Sequence, residues 1–424
     1  MVVALPAHLL PKWEPTYDMS RSTIIQPCNW SGTMDSQWLA KWGVVSVDWS
    51  NARRQWAQAQ PMDCDQMLLK QIKGIKEASN NTTKVFTYRN IVKALPWFGN
   101  VREKIVDPAY SGWFLKYTGN IQHDHYWNAP CQREQGCSVF YHDELSSPQD
   151  ASSGEKPDPR KGWCNQTCDC GGLPCGEYLF DHRNSSLGDW LVEEFLLGDT
   201  ALGSPFVDGY FLDDVWSGHG GWGCSLTSPF GGPSEMNGNC TIDMGLSATD
   251  IADITEAWHQ NFVTAKAVAV GAGGFEWHLL EAVSSPVRGS LDECKAFFRE
   301  ACSPHSTAYD SALMVRFTYG SKPGYGAPYW QEDLATFLLI RGPFGWIGHD
   351  FSTCALDAER VGGPDQLYER PSALDADYGE PRGLCAEDGR DSGMFRRGWS
   401  NADVSYDCVT HTGKVIVRSQ QNVD

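Results

Sequence analysis

Short apolar runs alternate along the chain with segments whose apolar residues recur at helical spacing. The segment 64–78 carries Leu68, Ile72 and Ile75 at such spacing and predicts a helix, and the segment 251–270 predicts another. The remaining runs are rich in β-branched and aromatic residues. They predict eight strands, at Thr23–Gln26, Val44–Trp49, Lys84–Tyr88, Tyr178–Asp181, Val207–Asp213, Gly274–His278, Leu313–Phe317 and Gly345–Asp350.

Strands that alternate with helices are typical of parallel sheets, so the pattern predicts an α/β fold, a (β/α)8 TIM barrel with long disulfide-pinned loop insertions. A doubly wound open sheet is the alternative, but no glycine-rich phosphate loop follows the first strands. No repeat divides the 424 residues, so we expect one domain over 1–424. We expect an insertion at about 120–173 and a Gly-rich loop at about 217–244.

One predicted strand ends in two adjacent carboxylates, Asp213 and Asp214, followed by the indole of Trp216. Side chains alternate between the two faces of a strand, so only one of these acids is expected to point into a site, and we choose Asp213, which is in phase with Gly209. A carboxylate at the carboxyl end of a barrel strand, beside an aromatic ring, suits cleavage of a glycosidic bond. For an isolated Asp-Asp pair, the capping of a helix or turn would be the preferred interpretation.

Most of the other predicted strands also finish in polar side chains. In a barrel the carboxyl ends of all strands meet at one face, where active sites form. We therefore expect these side chains to line one site: Asp48, Arg89 with Asn90, Asp181 with His182 and Arg183, Asp213 with Asp214, Glu276 with His278, and His349 with Asp350.

The composition narrows the class of protein. The net charge of −19 argues against a nucleic-acid partner, because phosphate binding needs clustered Lys and Arg. The 15 cysteines favour disulfides and an oxidising compartment, and their odd number leaves one thiol free or paired outside the chain, which would permit self-assembly. Zinc is the alternative for Cys164, Cys168, Cys170 and Cys175, although their spacing lacks paired C-x2-C motifs.

Six N-glycosylation motifs agree with a secreted, extracellular glycoprotein, and their acceptors are Asn29, Asn80, Asn81, Asn165, Asn184 and Asn239. No stretch is long and apolar enough to span a membrane. The first eleven residues lack the pattern of a signal peptide, so we expect that a leader was removed or is not part of this sequence.

Histidines gather in the expected insertion, where His123, His125 and His142 lie near acidic residues. A metal hydrolase would need these three side chains to converge on one point. Solvated loop histidines are more common, so we expect neither a metal nor another cofactor.

Several segments, in this order, resemble the glycosyl-hydrolase-like TIM-barrel families of extracellular proteins from eukaryotic microbes and algae. The likeness spans about residues 20–415 and implies a single glycosidase-like domain and a carbohydrate partner. The segments are Val47–Ala52, Val85–Asn90, Tyr178–Asn184, Asp208–Trp216, Asp333–Gly342, Asp377–Pro381 and Phe395–Trp399.

The strand Asp208–Asp213 is also similar to the α-amylase-type strand whose final Asp is the nucleophile, and that likeness implies the role of nucleophile or base for Asp213. It departs from the family at Phe211, where the family has an Arg.

Hydrolysis would need a second, protonated carboxyl group, for which we choose Glu276, with Asp181 and Asp48 as the other candidates. The expected sugar-binding residues are Asp48, Trp49, Tyr88, Arg89, Asn90, His182, Asp214, Trp216, Trp277 and Asp350. A buried ion pair between strands is the alternative for Arg89 and His182. The competing class of function is a catalytically inactive extracellular scaffold, filament component or lectin on the same fold.

Overall fold

The structure is a computed structural model that describes much of the 424-residue chain. The described residues are 10–26, 29, 32–116, 136, 138–142, 169–173, 176–214, 216, 246–278, 282–284, 289–304, 306, 313–316, 329–349 and 370–418. For residues 139–142, 176–177, 276–278, 282–284, 313–316 and 349, only the backbone is described.

The described strands, numbered in chain order, fall into three sheets. They are β1 Thr23–Ile25, β2 Val44–Val47, β3 Lys84–Asn90, β4 Lys93–Ala94, β5 Val139–His142, β6 Gly176–Leu179, β7 Gly209–Asp213, β8 Phe275–His278, β9 Ala282–Ser284, β10 Leu313–Arg316, β11 Gly345–His349, β12 Ala386–Glu387, β13 Met394–Gly398, β14 Ala402–Asp407 and β15 Thr412–Val417.

Eight of these strands form one sheet in the order β8-β7-β3-β2-β1-β11-β10-β9, and every pair in it is parallel. The prediction of an α/β fold with parallel strands is therefore confirmed. Both edges of the sheet come from consecutive parts of the chain, because only residues 279–281 separate β8 from β9. Four Cα–Cα steps of about 3.8 Å keep His278 within about 15 Å of Ala282, so the sheet must curl.

Aromatic contacts inside the sheet show the same curl. Phe275 on β8 and Trp346 on β11 lie five places apart in the strand order, which is about 24 Å in a flat sheet. Their ring centroids are nevertheless 5.8 Å apart. Trp13, which precedes β1, lies 5.9 Å from Phe86, 6.0 Å from Phe275 and 6.0 Å from Trp346. These rings fill the amino-terminal end of a curled sheet.

The pairing differs from a complete (β/α)8 barrel in two respects. No ladder joins the described residues of β8 and β9. In addition, the predicted strand Tyr178–Asp181 is not part of the parallel sheet: β6 lies between β4 and β5 in a separate antiparallel sheet. Its place among the eight is taken by β9, which has only three residues.

Helices connect most of the parallel strands. They are α1 Ser36–Leu39, α2 Arg53–Trp56, α3 Cys64–Ala78, α4 Gly99–Val106, α5 Ser185–Trp190, α6 Ala248–Gly271, α7 Leu291–Ala301 and α8 Trp330–Ile340, with a π-helical segment at Leu191–Leu196 and 3-10 helices at Pro108–Trp113 and Ser372–Asp375. The two predicted helices are confirmed as α3 and α6. Capping boxes at Ser247 and Ser290 begin α6 and α7 by satisfying their first backbone N–H groups.

The strands β12 to β15 form an antiparallel sheet that packs on α8. Gly413 on β15 permits this approach, because a Cβ there would lie 2.7 Å from that of Ala335. Arg397 donates hydrogen bonds to the carbonyls of Leu338 (3.2 Å) and Arg341 (2.7 Å), at the end of the helix where carbonyls lack intrahelical partners. Two disulfides, Cys294–Cys408 and Cys302–Cys385, join α7 to this part of the chain.

A cluster of ion pairs connects the amino-terminal ends of the neighbouring parallel strands β3 and β7. The carboxylate of Asp208, just before β7, accepts from Lys76 Nζ at 2.8 Å, from Lys84 Nζ at 3.2 Å and from the backbone N–H of Val85 at 2.9 Å. Among the described residues, no helix has both the length and the apolar character that crossing a bilayer requires.

Candidate functional site

Three neighbouring strands deliver polar side chains to the carboxyl end of the curled sheet. Asp48 follows β2, Asn90 ends β3 and Asp213 ends β7, and these strands are consecutive in the sheet. The register pairs Asn90 directly with Asp213. The strand-end positions therefore lie side by side, as their place after buried apolar runs requires.

A hydrogen-bond chain connects the side chains at this edge. The Tyr88 hydroxyl donates to Asp213 Oδ2 at 2.8 Å. The Asn90 amide Nδ2 donates to the Tyr88 hydroxyl at 3.0 Å and to Asp214 Oδ2 at 2.6 Å. Lys93 Nζ lies 3.3 Å from the same Asp214 oxygen. Both neighbouring carboxyl groups thus meet one Tyr–Asn pair.

Strict strand alternation would send Asp213 and Asp214 to opposite faces, and the structure differs. Asp214 has φ of 58°, in the left-handed region that non-glycine residues seldom adopt. This turn ends the strand and brings the Asp214 carboxylate to Asn90, beside the Tyr88 hydroxyl that Asp213 contacts. The expectation that only one of the two acids reaches this edge was therefore wrong.

The site favours protonated carboxyl groups. Burial, followed by the charge of Asp214, raises the pKa of Asp213, while the Tyr88 hydrogen bond and Lys93 oppose the rise. Burial raises the pKa of Asp48 to about 6, although Ser50 donates to its carboxylate. Burial and then Asp213 hold the pKa of Tyr88 well above its usual value, so this phenol keeps its proton.

The three acids of the site differ in how much of each side chain is exposed to solvent. Asp213 and Asp214 are half-buried, whereas Asp48 is 2% exposed. A ligand at this edge would therefore meet the first two directly, and Asp48 would act on it mainly through its charge.

The indole of Trp49 forms the aromatic side of the site. It is half-buried, and its ring lies 6.5 Å from that of Tyr88 and 5.0 Å from that of Trp97. The guanidinium of Arg53 lies 5.0 Å from the centroid of Trp49. A partly exposed indole thus lies beside Tyr88, with Arg53 and Trp97 packed against it.

Three predicted site residues have structural partners elsewhere. Arg89 is fully buried and donates to the carbonyls of Phe195 at 2.9 Å and Thr200 at 2.8 Å, on the helix side of the sheet. Its hydrogen bonds among the described residues all go to carbonyl and hydroxyl oxygens of the protein. His182 bonds the Ile91 carbonyl at 2.6 Å, and burial lowers its pKa to about 4. Asp181 forms an ion pair with Arg183 at 2.8 Å.

The backbone places Glu276 out of phase with Asp213. Glu276 is in register with Tyr210, whose hydroxyl donates to the Ala265 carbonyl of α6, on the helix side of the sheet. Trp277 is in register with Phe211. The side chains of Glu276 and Trp277 lie outside the described part of the structure, and so does Asp350. Trp216 is described, and it is 3% exposed.

Sequence reasoning missed Lys93. It lies on β4, in the short antiparallel sheet, and no motif or strand-end position marks it as part of the site. The only available signal was its distance of three residues from Asn90, which is not specific.

The cysteines can be partly assigned. Cys170, a member of the cluster for which zinc was the alternative, is disulfide-bonded. Cys64 is a free thiol, and it is fully buried at the start of α3, where its Sγ lies 3.7 Å from the Trp49 carbonyl. This free thiol is therefore not placed to pair with another chain. His123 and His125 lie outside the described residues, and the side chain of His142 is not described.

The glycosylation motifs differ in accessibility. Asn80 and Asn81 are exposed, and both have positive φ in the turn after α3. Asn29 is 5% exposed. Asn184 caps α5 by accepting from the Ser186 backbone N–H at 3.1 Å. Asn165 and Asn239 lie outside the described residues.

Comparison with known proteins adds distant structural likenesses. No family model and no curated protein matches the chain. The chain is similar to a noncanonic maltogenic α-amylase, AmyB, from Thermotoga neapolitana, with a TM-score of 0.42 and 10% identity over 94% of this chain and 86% of that one. It is also similar to a GH31 dextranase from Flavobacterium johnsoniae, with a TM-score of 0.38 and 8% identity over 84% of this chain and 40% of that one.

Proposed function

We propose that this protein hydrolyses O-glycosidic bonds of an oligo- or polysaccharide at the cluster of Asp213 and Asp214. The observation that supports the proposal is the meeting of two half-buried carboxyl groups at one Tyr88–Asn90 pair, at the carboxyl end of a curled parallel sheet. Glycoside hydrolysis needs one protonated and one ionised carboxyl group on either side of the scissile bond.

The environments of the two acids differ in the way this reaction requires. Burial and the neighbouring charge raise the pKa of Asp213, which suits it to hold a proton and deliver it to the leaving oxygen. Asp214 lies against the Lys93 ammonium, which stabilises a carboxylate. We therefore assign the acid to Asp213 and the ionised group to Asp214. The resemblance to α-amylases implied the opposite role for Asp213.

Trp49 would stack on a sugar ring, and Asp48 would support the proton on Asp213 through its charge. The disulfides among the described residues are compatible with an extracellular protein, and we propose a secreted glycoprotein that acts on carbohydrate as a single domain.

The test separates the two roles by the leaving group of the substrate. Wild type, Asp213→Asn and Asp214→Asn are assayed on polysaccharides, on methyl glycosides and on dinitrophenyl glycosides, and the leaving group of the last needs no proton. We expect Asp213→Asn to lower kcat/KM for the first two by at least ~100-fold and to retain kcat/KM for the last, because kcat/KM reports the step in which the leaving group departs. Asp214→Asn should lose all three. Asp403→Asn, the same change at an exposed ion pair of β14, is the control.

Two results would contradict the proposal. If Asp213→Asn also loses kcat/KM for the dinitrophenyl glycosides, the acid role is wrong. If wild type binds glycans on an array but turns over none of the substrates, the catalytic proposal fails, and the result favours the inactive lectin or scaffold.

A further inference from the structure

Lys93 connects to the site through two separate contacts. Its ammonium Nζ lies 3.3 Å from Asp214 Oδ2, and both side chains are half-buried, at 18% and 13% exposure. Its backbone N–H donates to Asn90 Oδ1 at 2.7 Å. One residue of β4 therefore holds both the carboxylate and the amide at this edge of the parallel sheet.

These contacts fix the orientation of the Asn90 amide. Asn90 Oδ1 accepts from two backbone N–H groups, those of Val92 at 2.9 Å and Lys93 at 2.7 Å. Because a backbone N–H can only donate, the oxygen must face it, and Nδ2 must face the Tyr88 hydroxyl and Asp214.

The orientation of Asn90 in turn fixes the direction of the Tyr88 hydrogen bond. The Tyr88 oxygen accepts from Asn90 Nδ2, so its own proton points to Asp213 Oδ2. The oxygen Oδ2 of Asp213 is thus occupied as an acceptor. When Asp213 is protonated, its transferable proton lies on Oδ1.

We propose that Lys93 is a positioning residue that, through Asp214 and the Asn90–Tyr88 hydrogen bonds, holds Asp213 with its transferable proton on Oδ1. The catalytic meaning of this inference rests on the proposed function, whereas the coupling of the groups does not. The charged or titratable groups that act most strongly on Asp213 come from four parts of the chain: Asp214 from the turn after β7, Tyr88 from β3, Lys93 from β4 and Asp48 after β2.

The proposal predicts opposite effects for two substitutions. Lys93→Met removes a positive charge that lowers the pKa of Asp213, and it should raise the titration midpoint of Asp213 by about one pH unit. Removal of the anion in Asp214→Asn should lower that midpoint by a similar amount, and Asn tolerates the left-handed backbone at this position. Lys93→Arg keeps the charge and should restore a midpoint close to that of wild type.

The experiment measures the carboxyl 13C shift of Asp213 by NMR as a function of pH, in the absence of substrate, and assigns the signal with Asp213→Asn. The pH–rate profile on a glycoside substrate is recorded in parallel, and its Asp213 limb should move in the same direction as the NMR midpoint. Tyr88→Phe, which removes the hydroxyl donor, should raise the midpoint as well.

The results of this experiment distinguish a failure of the positioning role from a failure of the proposed function. Unchanged midpoints in Lys93→Met and Asp214→Asn, or shifts in the same direction, would overturn the positioning role. If Lys93→Met does not fold, Asp214→Asn and Lys93→Arg still decide it: a midpoint unchanged in the first, or altered in the second, contradicts the proposal. Opposite NMR shifts in a protein without any glycosidase turnover would support the coupling while the proposed function fails.

Discussion

The Tyr88 hydroxyl donates a 2.8 Å hydrogen bond to Asp213 across two neighbouring parallel strands. A hydrogen bond from a neutral phenol favours the carboxylate, yet burial outweighs it and raises the pKa of Asp213. The folded protein therefore holds a proton on Asp213 at a pH where the unfolded chain has lost it. This difference links the stability of the fold to pH.

The pH dependence of stability follows from two carboxyl groups. A raised pKa in the folded state stabilises the fold below the unfolded value of 3.8, and this contribution is lost as pH rises through the folded value. For Asp48 the loss runs from 3.8 to about 6 and is on the order of 3 kcal/mol. For Asp213 the sign is the same. We expect urea unfolding from pH 4 to 8 to show falling stability, and a smaller fall in Asp48→Asn and Asp213→Asn.

The control for this experiment is Asp250→Asn, because the pKa of Asp250 is lowered, first of all by its hydrogen bond from Ser247. Its contribution has the opposite sign, since it is present above the unfolded pKa and lost as pH falls. A wild-type protein whose stability rises with pH over the whole range would contradict the assignment of raised values to Asp48 and Asp213.

The prediction for Asp208 concerns only the free energy of unfolding. Its carboxylate holds Lys76 and Lys84 at the amino end of the sheet, opposite the candidate site, and Lys76 is only 5% exposed. Asp208→Ala leaves a buried ammonium without this anion, and we expect a loss of about 3 kcal/mol in the free energy of unfolding. Chemical denaturation measures it, and a loss below about 1 kcal/mol would contradict the prediction.

Cys64 should be chemically silent in the native protein. It is fully buried, and burial is the first of the causes that raise the pKa of its thiol. We expect no reaction of Cys64 with a thiol reagent under native conditions and labelling of Cys64 in denaturant without reductant, which peptide mapping detects and Cys64→Ser should abolish. Rapid native labelling at this position would show that the helix start opens readily.

The exposed turn after α3 predicts where a glycan attaches. Asn80 and Asn81 have exposed side chains, while Asn29 is 5% exposed and lies next to Asn51. Expressed in a secretory host, the double variant Asn80→Gln/Asn81→Gln should lose mass equal to at least one glycan by intact mass spectrometry. Asn29→Gln is the matched comparison and should lose none.

The strands and helices that the sequence predicted correctly are those marked by a clear pattern of buried apolar residues. Buried parallel strands are short apolar runs, and α3 and α6 carry a helical pattern, so these appeared with bounds close to those observed. Tyr178–Asp181 is an equally apolar run, but its partners are antiparallel. An apolar run indicates that a strand is buried, but it does not indicate which strand pairs with it.

The pattern of apolar and polar positions predicted only some of the residues in the site. Asp48, Tyr88, Asn90 and Asp213 follow from the rule that strand ends meet at one edge. The left-handed turn at Asp214 defeats the alternation rule, because one positive φ redirects a side chain. Lys93 reaches the site from another sheet, so only tertiary structure identifies it.

The ring of Trp13 restricts the route by which a molecule could reach the site. It fills the amino-terminal end of the curled sheet against Phe86, Phe275 and Trp346. These four rings occupy the space between the strands at that end of the sheet. A molecule bound near Asp213 would therefore approach from the side of the carboxyl ends of the strands, and not through the middle of the sheet from the amino-terminal side.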